Sequence, residues 1–180
     1  HSQPRRLCCG EWRSSRACRV AGLASCSSHH CSARPCAGFF GGGSAALRQD
    51  MVDERLTSRF DSEEGGFGIA PKFPTAHVFT FLLRYGDRTG DPRALEMVER
   101  TLQAMRRGGI YDQLGFGFHR YSTDREWLVP HFEKMLYDQA LLLYAYAETY
   151  QAMRRGLYAA VAREMSPYVL RDMTSPEGGF

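Results

Sequence analysis

Two short stretches of this 180-residue chain are near copies, Ser62-Glu63-Glu64-Gly65-Gly66-Phe67 and Ser175-Pro176-Glu177-Gly178-Gly179-Phe180, with Gly108-Gly109-Ile110 as a weaker third. Each follows a segment of helical periodicity. A turn motif that recurs at helix ends is what stacked supersecondary units write, because one such unit cannot bury its apolar face alone. The expected fold is mainly α: an array or toroid of α-hairpins that turn at a common rim.

The segments between the copies support this. Ser44 to about Phe60 reads as a helix with Leu47, Met51, Leu56 and Phe60 on its apolar face, and Pro71 and Pro74 hold the chain extended after it. A second helix is expected from Thr75 to Tyr85, ending before Gly86. For the third, every local signal agrees: Asp91 as N-cap, Pro92 at the first position, a stripe of Leu95, Val98, Leu102 and Met105, then Arg106-Arg107 and Gly108. Gly108 to Val129 lacks helical period and reads as a long loop or short hairpin, of a length usually tied to function. Pro130 is expected to open a fourth helix, with Glu133 in its first turn and Phe132, Leu136, Ala140, Leu143, Ala147 and Tyr150 as its stripe, reaching about Met153. A fifth runs from Leu157 to Met173, with a kink or break expected at Pro167.

Gly41-Gly42-Gly43-Ser44 marks a boundary. Residues 1–43 hold six arginines against one acid, a net +5, leaving 17 basic and 19 acidic residues, a net −2, in the remainder. All six cysteines, Cys8, Cys9, Cys18, Cys26, Cys31 and Cys36, lie in that first segment, without a CxxC pair or apolar period. It reads as a disordered tail, ahead of a zinc module using His29 and His30. Its Arg- and Ser-rich, acid-poor composition resembles that of an organelle transit peptide. Residues 44–180 carry no basic stripe, which sets a nucleic-acid partner aside. No run reaches the about 18 apolar residues of a membrane span, so a soluble protein is expected. A start at His1 and a finish within a turn motif suggest a fragment.

Gly108 to Ala140 concentrates the distinctive chemistry: two glycine-spaced turns, many aromatics, and Asp112, His119, Arg120, Asp124, His131, Glu133, Lys134 and Asp138. Buried polar groups cost free energy unless partnered, so a segment needed only for packing does not accumulate them. The stretch reads as the lining of a polar-aromatic cleft.

Several ordered motifs carry a resemblance. They are Gly65-Gly66-Phe67-Gly68, Ala70-Pro71-Lys72-Phe73-Pro74, Gly108-Gly109-Ile110-Tyr111-Asp112, Gly117-Phe118-His119-Arg120-Tyr121-Ser122 with Asp124, and Trp127 followed by Pro130-His131-Phe132-Glu133-Lys134-Met135-Leu136-Tyr137-Asp138. Over roughly residues 47–180 the chain resembles the spermatogenesis-associated thioredoxin-like family. The resemblance implies a thioredoxin-like domain followed by an (α/α)6 toroid of the six-hairpin glycosidase type, of which this chain would hold the first part. The expected division is therefore 1–43, disordered, and 44–180, the start of a toroid, with the thioredoxin-like domain and the rest of the toroid lying outside it. Phe116 departs from the pattern, standing where the family usually has Gly.

Sugar chemistry in such a toroid needs carboxylic acids or histidines and an aromatic face. Hydrolysis uses two carboxylates, and epimerisation uses acid/base groups for which histidine is suited. The catalytic candidates are His119, Asp112, Asp124, His131 and Glu133. For substrate binding they are Tyr111 and Trp127 as stacking platform, with Arg120, Tyr137 and Asp138. No metal or cofactor is expected, and a small sugar is the expected ligand. Two functions stay open: a carbohydrate-active enzyme, of epimerase, isomerase or glycoside hydrolase type, or a non-catalytic binding or regulatory protein with a role in fertility.

Overall fold

The computed structural model describes residues 43–180, with side chains from residue 49 onward. The disordered-tail, zinc and transit-peptide readings of residues 1–43 lie almost wholly outside the described residues. Five helices follow in order: α1 (Gly43–Arg59), α2 (Ala76–Thr89), α3 (Pro92–Arg107), α4 (Leu136–Met153) and α5 (Gly156–Asp172).

The third helix forms as its sequence dictates. Asp91 Oδ1 accepts from the Arg93 N–H at 3.0 Å, Pro92 needs no partner for its missing N–H, and Ala94, Met97, Val98, Thr101, Leu102 and Met105 face the core. In contrast, α2 does not stop before Gly86. It runs to Thr89 and ends on Gly90 in the left-handed region, while Gly86 is buried beside Ala94 and lets the two helices approach. The fifth helix continues through Pro167 without a break.

Pro130 does not open α4, which starts at Leu136. The reason lies in the backbone donors and acceptors of residues 130–133, which are already engaged: the His131 N–H donates to Tyr121 O, and the Arg120 N–H to Glu133 O at 2.7 Å. A segment paired as an extended ladder cannot also close helical i→i−4 bonds. Glu133 is thus no helix-terminus residue; Asp138 occupies that first turn. The buried face of α4 is also rotated from the expected stripe, to Gln139, Leu142, Ala145, Tyr146 and Thr149. This helix is apolar on nearly every side, so period alone did not select a face.

Helices α2 and α3 form one α-hairpin and α4 and α5 another, with α4 packed against α2 and, more lightly, α3. Their shared core holds Phe79, Leu82, Val98, Leu102, Met105, Ile110, Phe118, Trp127, Leu142, Tyr146, Tyr158 and Met165. Two-residue turns close the hairpins at one end, Gly90–Asp91 and Arg154–Arg155. Every longer connection therefore falls at the other end: 60–75, 108–135 and the segment after α5.

Two turns on that rim are copies of one design. In the first, Asp61 N donates to Gly66 O, Gly65 N to Asp61 O, and Glu63 and Glu64 N to Asp61 Oδ1. In the second, Asp112 N donates to Gly117 O, Phe116 N to Asp112 O, and Leu114 and Gly115 N to Asp112 Oδ1. A lysine closes each. Lys72 Nζ reaches Asp61 Oδ2 at 2.8 Å and Gly65 O at 2.7 Å; Lys134 Nζ reaches Asp112 Oδ2 and Phe116 O, both at 2.7 Å. Phe60 pairs with Phe67 in one and Tyr111 with Phe118 in the other. The design needs two left-handed residues, Gly65 and Gly66 (φ 69° and 83°), then Phe116 and Gly117 (φ 68° and 78°). Phe116 therefore adopts the backbone that its counterpart Gly65 takes without a Cβ penalty.

The structural partner of Asp61–Phe67 is thus Asp112–Phe118, rather than Gly108-Gly109-Ile110. That glycine pair has a different use. A Cβ on Gly108 would lie 2.4 Å from Trp127 O and one on Gly109 2.1 Å from Leu128 O, so both admit the crossing strand. The 175–180 copy forms a smaller turn, with Ser175 N donating to Gly179 O and Gly178 N to Ser175 O, and Thr174 where Asp61 stands.

Candidate functional site

The rim gathers the predicted site residues, but it divides them into two groups. Tyr111 and Trp127 lie in the core. The Tyr111 hydroxyl donates to Glu164 Oε2 at 2.6 Å, its ring sits under the Arg106 guanidinium, and burial together with the Glu164 bond pushes its pKa up. Trp127 has no exposed surface; its Nε1 donates to Glu64 O, and Lys72 lies over its ring. Neither ring has a face for a sugar, which corrects the expectation of a stacking platform there. Trp127 anchors the loop by filling space that Gly66 and Gly108 leave, and Tyr111 anchors it through Glu164.

Asp112 and Asp124 are likewise held by the backbone. Burial raises the Asp112 pKa, but the Lys134 ammonium and the amides of Gly115 and Leu114 outweigh it and bring the carboxyl down to about 2. Asp124 accepts from Leu128 N at 3.0 Å, Val129 N at 2.5 Å and Ser122 Oγ at 3.0 Å; those donors overcome burial and lower its pKa. A carboxylate held this firmly ionised carries no proton to donate near neutrality and is a weak base.

The second group faces the rim surface around the 119–122 and 130–133 ladder. His119 is 9% exposed, its Nδ1 is buried without a hydrogen-bond partner, and its ring meets that of Phe132 edge-on at 5.3 Å. Burial, then the Lys134 charge, lowers the His119 pKa, only partly offset by Asp112, so the neutral imidazole is favoured. Asp138, in the first turn of α4, has a buried Oδ2 without a partner, and burial raises its pKa against the opposing pull of Arg120. Arg120 Nη1 donates to Glu133 Oε2 at 3.0 Å, and His131 Nδ1 lies 3.8 Å from the same oxygen. The His131 ring stacks on Tyr121 at 4.9 Å, and Tyr121 meets Phe73 at the same separation. Tyr137 is exposed and close enough to Arg120 to add to its positive stabilisation.

Phe132 was expected on a buried helical stripe, yet it is 82% exposed. Its displacement follows from the start of α4 at Leu136, and no periodicity in the sequence marks it. Lys72 and Lys134, which close the two turns, were legible only as parts of a motif; the parallel spacing of Asp61 to Phe67 and Asp112 to Phe118 was the available signal. Among the described residues there is no group of three or more His, Cys, Asp or Glu placed to hold a metal ion. No helix among them is long and apolar enough to cross a membrane.

With this geometry in hand, the relatives can be placed. The chain is 47% identical over 141 residues to spermatogenesis-associated protein 20 of Homo sapiens and 46% identical over 141 residues to that of Mus musculus. The helical region is homologous to the spermatogenesis-associated protein 20 family. Each match takes in 76% of this chain but only 18% of the relative's length. An uncharacterised protein of Caenorhabditis elegans is 46% identical over 129 residues, 68% of this chain and again 18% of the relative. No defined family profile matches the chain.

Among solved structures the chain is similar to a sugar epimerase from a ruminal bacterium, with TM-score 0.65 and 17% identity over 75% of this chain and 38% of that one. It is also similar to the cellobiose 2-epimerase of Spirochaeta thermophila, with TM-score 0.60 and 20% identity over 77% of this chain and 39% of the other. At these identities the likeness establishes the fold alone: the helical region forms part of an (α/α)6 toroid.

Proposed function

We propose that the loop-rich rim binds a sugar and moves a proton on it, with His119 as base and Asp138 as acid. The observation that carries this is that His119 Nδ1 and Asp138 Oδ2, two of six such side-chain atoms among the described residues, are buried without a hydrogen-bond partner beside the 119–122 and 130–133 ladder. Buried polar atoms are rarely left without partners, and a catalytic role is one of the reasons for which such atoms are kept. Their environments also push them in useful directions: His119 toward its neutral, proton-accepting form and Asp138 toward its protonated form. Opposed shifts of this kind divide the acid and base roles between two groups.

The reaction class follows from what the other carboxylates do. Hydrolysis of a glycoside needs two functional carboxyls, but Asp112 and Asp124 are tied to backbone amides and Glu133 to Arg120. The Asp138 carboxyl and the His119 imidazole, neither tied to a backbone amide or an ion pair, suit proton abstraction next to a sugar carbonyl. His119 takes the C2 proton of an open-chain aldose, Asp138 protonates the carbonyl oxygen, and an enediol results. Return of a proton to C2 gives the same aldose or its epimer. The epimerase fold supports this reading without identifying the substrate.

The test is proton exchange at C2. Incubation of the protein with glucose, mannose or cellobiose in deuterium oxide should introduce deuterium at C2, followed by nuclear magnetic resonance, and His119→Gln should abolish it. Sugar binding without any C2 exchange favours a second reading, a non-catalytic carbohydrate-binding protein of the same family. The observation behind that alternative is that three of the five residues expected to be catalytic serve the backbone or an ion pair.

A further inference from the structure

Resting on the reading of the rim as a sugar site, we infer that its ligand is an uncharged sugar, stacked on Phe132 and selected against anionic sugars because the neighbouring cations already have carboxylate partners. Phe132 is an 82% exposed phenyl ring set directly beside the buried His119. Its position is fixed rather than incidental: the ladder holds Pro130, His131 and Glu133 against Ser122, Tyr121 and Arg120. An aromatic face beside a buried polar group is the usual composition of a sugar subsite, apolar for the ring and polar for orientation.

The charges decide the ligand's class. Arg120 pairs with Glu133 at 3.0 Å, Lys134 with Asp112 at 2.7 Å, and Arg171 with Asp172 at 2.5 Å. Burial and the Lys134 charge disfavour the cationic form of His119. A sugar phosphate or uronate arriving beside Phe132 meets Arg120 and Lys134 already paired with carboxylates, and it brings its charge close to Glu133 and Asp138. Recognition of phosphate or carboxylate depends on charge-assisted donors, which are here already committed. The Arg120–Glu133 pair, in contrast, offers donor and acceptor side by side, which matches the alternating needs of neighbouring hydroxyls.

Titration calorimetry of the full 180-residue chain with glucose, cellobiose, glucose 6-phosphate and glucuronate tests the inference, alongside Phe132→Ala and His119→Ala. Burial of part of one aromatic face predicts on the order of tenfold weaker binding of the neutral sugars by Phe132→Ala, with an unchanged melt because the ring is exposed in the free protein. The anionic sugars should bind at least about tenfold more weakly than their neutral counterparts. If glucose 6-phosphate or glucuronate binds as tightly as glucose, the inference falls while the sugar site stands. It falls likewise if Phe132→Ala changes nothing and His119→Ala abolishes binding. If none of the four sugars binds, the inference and the sugar-site reading fall together.

Discussion

Replacing Lys72 by methionine isolates the more buried of the two lysine-closed turns. The Lys72 side chain is fully buried, and its ammonium donates to Asp61 Oδ2 at 2.8 Å and Gly65 O at 2.7 Å. Methionine retains the stem that packs on Trp127 and removes only the donors, so the loss reflects hydrogen bonding and charge. Breaking a fully buried ion pair costs about 3–5 kcal/mol when the survivor is left alone. Here Asp61 keeps Arg125, at 2.6 and 2.8 Å, and two backbone donors, so that part of the cost is much reduced. Gly65 O loses a partner in a buried setting, about 1–3 kcal/mol. A net loss of about 2–3 kcal/mol follows, which lowers the melting temperature by about 6–10 °C in a region of this size. Lys134→Met should cost less, about 1–2 kcal/mol, since its turn lies nearer solvent. Both are read by thermal denaturation followed by circular dichroism. A Lys72→Met protein that melts within 2 °C of the parent, roughly the scale of 0.5 kcal/mol, or below which Lys134→Met falls, would refute the reasoning.

Three further outcomes are expected. Gly109→Ala places a Cβ 2.1 Å from the Leu128 carbonyl, so it should destabilise by about 2–4 kcal/mol in a urea melt and loosen the loop that carries Trp127. Asp138→Asn should raise the melting temperature at pH 7, because a carboxylate shifted toward protonation loses stability as pH rises through its folded pKa, while C2 exchange disappears. Asp112 has the opposite sign: with its pKa lowered to about 2, the turn it closes contributes stability above the ordinary value of 3.8 and loses it as pH falls toward 2. Comparing melts at pH 5 and pH 3 for parent and Asp112→Asn checks this, with a larger acid-induced drop expected in the parent.

The helices were largely legible because local signals and packing agree in them. Asp91, Pro92 and the stripe from Val98 to Met105 act within one turn of their neighbours, so α3 appears where those residues place it. Gly86 misled because its use is a close approach to Ala94, a contact made by the neighbouring helix. Pro130 misled for a related reason, since the bonds that keep residues 130–133 extended come from 120–122, about ten residues away. The rim was correctly recognised as polar and aromatic, but not which groups were free. Asp112, Asp124, Tyr111 and Trp127 look like site residues by type, and only their partners in three dimensions assign them to the scaffold. A buried side-chain atom free of a partner, which His119 and Asp138 share with Asp53, Thr75, Arg106 and Glu148, is a property no sequence pattern records.

The most direct measurement is the imidazole resonance of His119 during a glucose titration, followed by long-range proton–nitrogen correlation. A ligand that completes the orphaned Nδ1 must shift that nitrogen in step with saturation, and Phe132→Ala must move the midpoint to higher sugar concentration. Glucose binding that leaves the His119 nitrogens unmoved would contradict the account, as would a titration in which only histidines elsewhere respond.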